Sequence, residues 1–160
     1  MVAIVQRVES AELSVEGEVR AAIGAGFVVL LGVAEGDTGG DADLLAAKVA
    51  DLRILDDGEG RMNVSLRDAG AEALVVSQFT LLADCRKGRR PSFTGAAAPD
   101  VGRELYEAFV SSLRAQGIEV ATGVFGARML VGLRNDGPVT IILDSRDLAG
   151  PRRRSSRREP

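Results

Sequence analysis

Phe27-Val28-Val29-Leu30-Leu31-Gly32-Val33 is apolar at odd and even positions alike. Successive side chains of a strand point to opposite faces, so a half-exposed strand alternates. A run without alternation predicts a strand covered on both sides. Gly36, Gly39 and Gly40 then break it. Before it, Ala3 to Val8 reads as a strand and Leu13 to Glu16 as its partner or continuation, with Glu16-Gly17-Glu18 supplying a turn. After it, Asp41 to Leu52 has Leu44, Leu45, Val49 and Leu52 at helical spacing, and Asp41 and Asp43 suit the N-terminus of that helix.

Leu74 to Leu82 reads as a second buried strand, interrupted by Ser77, Gln78 and Thr80. Pro99 to Gln116 predicts a second helix, with Pro99 at its first position and Val101, Leu105, Ala108, Phe109 and Ser112 inward; Gly117 stops it. Ile118 to Ala121, Arg128 to Leu133 and Val139 to Leu143 read as closing strands. The resulting order, β-β-β-α-β-α-β-β-β, predicts an α+β domain with mostly antiparallel sheets and two main helices.

Composition narrows the chemistry. The chain has 160 residues, no histidine and one cysteine, Cys85. Ser-His-Asp and Cys-His catalysis, histidine-ligated zinc, internal disulfides and paired-cysteine metal sites are thereby excluded. Asp56-Asp57-Gly58-Glu59-Gly60 has the composition of a calcium loop but not its ligand spacing, and no metal or cofactor is expected. No apolar run approaches the roughly 20 residues of a membrane span. The start, Met1 to Arg7, shows no secretory pattern, so a soluble intracellular protein is expected. Net charge is −3, but residues 151–160 contribute +4, leaving −7 on residues 1–150. Residues 148–160 therefore read as a basic, disordered tail on a domain of residues 1–147.

Three segments stand out. Ser77-Gln78-Phe79-Thr80-Leu81 puts polar side chains into a buried strand, where they either form a satisfied network or line a pocket. Asn135-Asp136-Gly137-Pro138-Val139-Thr140 has the residues of a hairpin turn. A Gly-Pro bond also adopts cis at modest cost, and cis would aim two successive carbonyl oxygens nearly the same way. Arg86-Lys87-Gly88-Arg89-Arg90-Pro91-Ser92-Phe93 places four cations in five residues, either as a solvated loop or as a phosphate contact. Cys85 beside it has no histidine to serve as its base and reads as a bystander.

The first two segments closely resemble the two signature motifs of the D-aminoacyl-tRNA deacylases, also called D-tyrosyl-tRNA deacylases. Gln6-Arg7-Val8, Gly24-Ala25-Gly26, Gly60-Arg61-Met62-Asn63, Arg90-Pro91-Ser92-Phe93 and Leu105-Tyr106 with Phe109 add to the resemblance, which spans Met1 to Asp144. It implies a layered β/β/α fold and a cytoplasmic homodimer whose active sites lie at the subunit interface. It also implies hydrolysis of the ester of D-aminoacyl-tRNA, and of glycyl-tRNA mischarged on tRNA(Ala), as chiral proofreading without a cofactor. Under it, Ser77, Gln78, Phe79 and Thr80 form the catalytic segment. Gly137 and Pro138 form a cis pair that rejects L-amino acids across the interface, oriented by Arg7. Phe125 and Met129 border the pocket, and Arg86, Lys87, Arg89 and Arg90 are tRNA contacts.

Two roles compete for the catalytic step: Thr80 as nucleophile, or assistance from the 2′-hydroxyl of the tRNA with backbone amides near Phe79 and Thr80 binding the oxyanion. Three rivals remain. A non-catalytic nucleic-acid-binding protein of the same fold would use the basic tail. A related branch acting on L-alanyl-tRNA has altered residues in both motifs. A purely structural dimer leaves the polar residues of 77–80 unexplained.

Overall fold

A computed structural model describes residues 1–150; of the tail predicted at 148–160, residues 151–160 lie outside the described residues. Leu148 and Ala149 end a short helix, with Leu148 packed against the core, so the ordered domain runs past 147. In chain order the strands are β1 (Val2–Val15), β2 (Glu18–Ile23), β3 (Gly26–Gly32), β4 (Leu55–Asp56), β5 (Met62–Val64), β6 (Glu72–Ser77), β7 (Glu119–Thr122) and β8 (Leu130–Asp144). The helices are α1 (Gly39–Ala50), α2 (Leu66–Ala69), α3 (Pro99–Ala115) and α4 (Ser145–Ala149). The predicted α+β class with mostly antiparallel pairing holds. The main sheet runs β2-β1-β3-β6-β7 with β8 on β1, and only β3-β6 and β6-β7 are parallel.

The covered strand is β3. Phe27, Val29 and Leu31 face a core shared with α1 and α3, while Val28 faces a second core with Val8, Ala11, Leu13, Ile23, Leu74 and Val76. Strand β6 divides likewise, Ala73 and Val75 to the first core and Leu74 and Val76 to the second. The layers are therefore helices, sheet, and the curled-over limb of the same sheet.

Several expectations are corrected. Of the two readings of 13–16, continuation holds and partner falls: 3–8 and 13–15 belong to one strand, β1, and the partner after the turn at Glu16 and Gly17 is β2, a strand the sequence reading lacks. A register shift between Val8 and Ser10 flips β1's facing. Ala3 and Val5 thus enter the helix-side core and Ala11 and Leu13 the other. In α1 the buried stripe is Ala42, Leu45, Ala46, Val49 and Ala50, while Leu44 is exposed. The small alanines let α1 lie against α3, and that neighbour, rather than the largest side chains, sets the buried face. In α3 the stripe is rotated by a residue, so that Gly102, Tyr106 and Val110 are buried and Val101 is exposed.

The chain start is fastened into this frame. The Met1 ammonium donates to Asp37 Oδ1 at 2.6 Å and to Ser145 Oγ at 2.8 Å, and Ser145 N–H donates to Met1 O at 2.9 Å. At the N-terminus of α1, Asp41 accepts from the Thr38 N–H at 2.9 Å and its hydroxyl at 2.8 Å. The Ser145 hydroxyl, then the Thr38 backbone and side chain, hold the Asp41 carboxyl below the ordinary aspartate range. Asp41→Ala is expected to lower stability at neutral pH by about 1 kcal/mol, or about 2–4 °C in melting temperature. Because the folded state favours the carboxylate, that difference should vanish as pH falls through the depressed folded-state value. Melting curves of both proteins at pH 7 and in acid check this.

Candidate active site

Strand β6 ends where its pairing runs out on both sides. Its pairing with β3 stops at Leu31↔Ser77 and that with β7 at Val75↔Thr122. After Gln78 N–H donates to Leu31 O at 2.8 Å, the next groups have no strand to bond. The chain therefore turns into a 3₁₀ segment, Phe79–Leu82, closed by Leu81 N–H to Gln78 O at 3.2 Å and Ala83 N–H to Thr80 O at 3.1 Å. The expected strand to Leu82, with Gln78 and Thr80 on one face, is replaced by this turn. Gly32 permits it: a Cβ there would sit 2.5 Å from Leu82 Cδ2 and 3.1 Å from Gln78 O. The N–H groups of Phe79 and Thr80 open the turn and have no partner within it. Gln78 Nε2 donates to Thr80 Oγ1.

The segment separates two cavities. The larger, about 410 Å³, lies between the end of β3, the turn and α3, and its walls include Leu31, Phe93, Tyr106 and Phe125. The smaller, about 250 Å³, includes Val76, Met129 and Val131. Ser77, Gln78 and Phe79 line both. Phe125 and Met129 are thus brought to the segment, one on each side; Thr80 lines neither cavity. Phe79 is 58% exposed and meets Phe93 edge-on at 5.1 Å between ring centroids.

Two wall residues not singled out as pocket residues by sequence are Phe93 and Tyr106. The Tyr106 hydroxyl donates to Val75 O at 2.9 Å. Gly123 N–H donates to the same carbonyl at 3.1 Å, fixing the loop that carries Phe125. Burial pushes the Tyr106 phenol up to about 12, so it keeps its proton near neutrality.

Arg7, Gly137 and Pro138 form a second group. The 135–138 segment is not a turn between two strands; it lies inside the continuous β8. Between the pairs Gln6↔Thr140 and Val8↔Asn135, Arg7 alone faces residues 136–139, which bulge out of register. Long β1 supplies a partner on both sides of the bulge, so the strand resumes instead of reversing. The Gly137–Pro138 bond is cis. Gly137 has φ +131°, and a Cβ on it would come 2.7 Å from Val139 Cγ2 and 2.9 Å from Val139 N, so the position requires glycine. Arg7 is buried, and its Nε donates to Asp136 O at 3.0 Å with Asp136 Oδ2 at 3.2 Å. Neither Gly137 nor Pro138 lines the two cavities beside Ser77–Phe79 of the same chain.

The basic loop is closed by a backbone pair, Asp84 N–H to Ser92 O at 2.7 Å and Ser92 N–H to Asp84 O at 2.9 Å. Arg86 Nε and Nη2 donate to Asp84 at 2.9 and 2.7 Å. This pairing lowers the Asp84 carboxyl and raises the guanidinium. Lys87, Arg89 and Arg90 are exposed and make no ion pair among the described residues. Phe93, just past the loop, is the ring against Phe79. Cys85 is exposed and free.

Residues 4–144 match the family model described as D-Tyr-tRNA(Tyr) deacylase. A curated relative from Chloroflexus aurantiacus, named D-aminoacyl-tRNA deacylase, is 59% identical over 157 residues, covering 98% of each chain. Among solved structures, one named c-Myc DNA Unwinding Element Binding Protein superposes with TM-score 0.84 at 39% identity, covering 90% of this chain and 98% of the other. A second, described as a probable eukaryotic D-amino acid tRNA deacylase, has TM-score 0.75 at 21% identity and covers 89% and 97%, a likeness of fold.

Tyr106 is the chain's one tyrosine and tryptophan is absent, so phenolate absorbance reads it alone. A spectrophotometric titration should show phenolate appearing near pH 12 in the folded protein, and near pH 10 once urea unfolds it. Equal midpoints would mean that the phenol is not buried against the end of β6.

Proposed function

We propose, for a chain that belongs to the D-Tyr-tRNA(Tyr) deacylase family, that it hydrolyses the ester joining a D-amino acid to the terminal adenosine of tRNA. The products are the free amino acid and tRNA, and the reaction removes D-amino acids, and glycine mischarged on tRNA(Ala), before translation in the cytoplasm. The observation that carries this reading is the near full-length identity to a relative bearing that activity's name.

The chemistry suits a site without histidine. An aminoacyl ester is activated enough that orientation and oxyanion stabilisation supply much of the rate. The free-ended N–H groups of Phe79 and Thr80 are the donors for the developing oxyanion. Water attacks the carbonyl carbon, the 2′-hydroxyl of the terminal ribose assists its deprotonation, and the 3′-oxygen leaves with a proton. Thr80 is a poor nucleophile here. Its oxygen accepts from the Gln78 amide, which cannot take its proton in return.

Chirality is read by Gly137 and Pro138 of a second copy. Their carbonyl oxygens accept from the α-amino group and leave no room for an L-oriented Cβ. Glycine, lacking a Cβ, is accepted. What supports a dimer is β8: paired only with β1 among the described strands, it carries Leu130 and Ile142 at 67% and 71% exposure, with Leu133 also exposed. A fifteen-residue edge with apolar side chains requires cover. The second reading, a non-catalytic nucleic-acid-binding protein, draws on the name of the 39%-identical structure. The −7 charge of residues 1–150 argues against a broad, non-specific nucleic-acid-binding surface on that body.

Purified protein should hydrolyse D-tyrosyl-tRNA and glycyl-tRNA and spare L-tyrosyl-tRNA, with or without residues 151–160. No hydrolysis with tail-dependent nucleic-acid binding would establish the second reading. Thr80→Ala is expected to retain activity within about tenfold, whereas loss of a true nucleophile costs several orders of magnitude. Gly137→Ala, which drives a methyl into Val139, should lower the D-over-L ratio.

Replacing Lys87, Arg89 and Arg90 together with serine should weaken tRNA binding and flatten its salt dependence, by up to about 0.7–0.9 in slope for each phosphate no longer neutralised. Adding Arg86→Ser should change the slope less than any of the other three, because Asp84 already neutralises that guanidinium. Binding measured from low to moderate salt decides it.

A further inference from the structure

We propose that Asp56 is a positioning residue for the Gly137–Pro138 pair, acting through Arg7 from the β4–β5 hairpin. The inference rests on the chirality-reading role given above to that pair. Arg7 spans two elements. At one end of its guanidinium, Nε meets Asp136 through both the backbone oxygen and the carboxylate. At the other, Nη1 donates to Asp56 Oδ1 at 2.8 Å and to Ile54 O at 2.9 Å. Nη2 lies 3.2 Å from the point where a Cβ on Gly137 would sit. The planar fork thus touches the bulge along one edge and the hairpin along the other, and its plane is set by both.

Charge balance makes Asp56 decisive. The buried guanidinium faces two carboxylates, those of Asp56 and Asp136, each about half-exposed. They sit on opposite sides, so their pulls oppose. With Asp56 gone, Asp136 is the only counter-charge and draws the cation toward residues 136–139, while the Nη1 end keeps only the Ile54 carbonyl. Gly137 directly follows Asp136 in the chain, so its carbonyl turns with that motion. Asp56 is itself held still. The next residue, Asp57, accepts from the N–H groups of Glu59 and Arg61 at 3.0 and 3.2 Å, and its own N–H donates to Arg61 O at 2.9 Å. Those bonds tie off the hairpin and give Asp56 a fixed base.

The test measures kcat/KM on D-tyrosyl-, L-tyrosyl- and glycyl-tRNA for Asp56→Ala, Asp56→Asn, Asp56→Glu and Gly137→Ala, with melting temperatures alongside. Asp56→Ala is expected to lower the D-over-L ratio by at least about tenfold, since small displacements of positioned groups carry large rate effects. Asp56→Asn, which keeps an acceptor but no charge, should fall between, and Asp56→Glu should recover part of the ratio. A merely structural role would lower the melting temperature and leave the ratio alone. If Gly137→Ala shifts the ratio and the Asp56 variants do not, Asp56 has no positioning role and the reading of the pair stands. If Gly137→Ala also leaves it unchanged, that reading falls and this proposal with it. Should Asp56→Ala fail to fold, Asp56→Asn decides the same question.

Discussion

Strand β1 is hydrogen-bonded along both edges, and the site depends on that. Its first half pairs with β3, its second half with β2, and nearly its whole length with β8. Buried backbone groups must be paired, so a strand with two complete sets of partners fixes where those partners run. The shift between Val8 and Ser10 lets the same strand feed two cores of opposite facing. A separate shift, between Gln6 and Val8, leaves Arg7 alone opposite residues 136–139. The bulge is therefore a consequence of how three strands share one neighbour.

Around that neighbour, the groups with chemical potential are mostly main chain. The N–H groups of Phe79 and Thr80 are freed because pairing on both sides of β6 has run out by Ser77, and the backbone of the bulge leaves the ladder because β8 has four residues where β1 has one. Side chains serve as supports: Gln78 holds Thr80, Tyr106 holds the end of β6, and Arg7 holds Asp136. A buried guanidinium is costly unless its donors are met, which is why two carbonyls and two carboxylates converge on it. The lack of histidine matters little to a site built this way.

Much of this was legible in the residues. The apolar run at 27–33 predicted a strand with cover on both faces, and Pro99 and Gly117 bracketed α3 nearly to the residue. The segments 77–80 and 135–140 stood out because polar and turn-forming residues sat where a scaffold has no need of them. What was hidden depended on partners. Asn-Asp-Gly-Pro serves a reversal or a bulge equally well, and only the length of β1 decides between them. The turn after Ser77 follows from where β3 and β7 stop, which no local pattern records. The buried face of α1 passed to its alanines because a second helix lies against it. Asp56 sat in an acidic segment with the composition but not the spacing of a calcium loop, and its bond to Arg7 joins positions 49 residues apart.

The four-against-one bulge has an evolutionary corollary. On the proposed reading the discriminator is made of peptide oxygens and carries no side chain where it meets the substrate, so substitution reaches it only through the residues that hold the backbone. The oxygens themselves are the same in every residue type, so selection acts on the props, at Arg7 and on the hairpin that holds it. Weakening those props blurs the preference, whereas reversing it requires the backbone of the bulge to turn its oxygens another way.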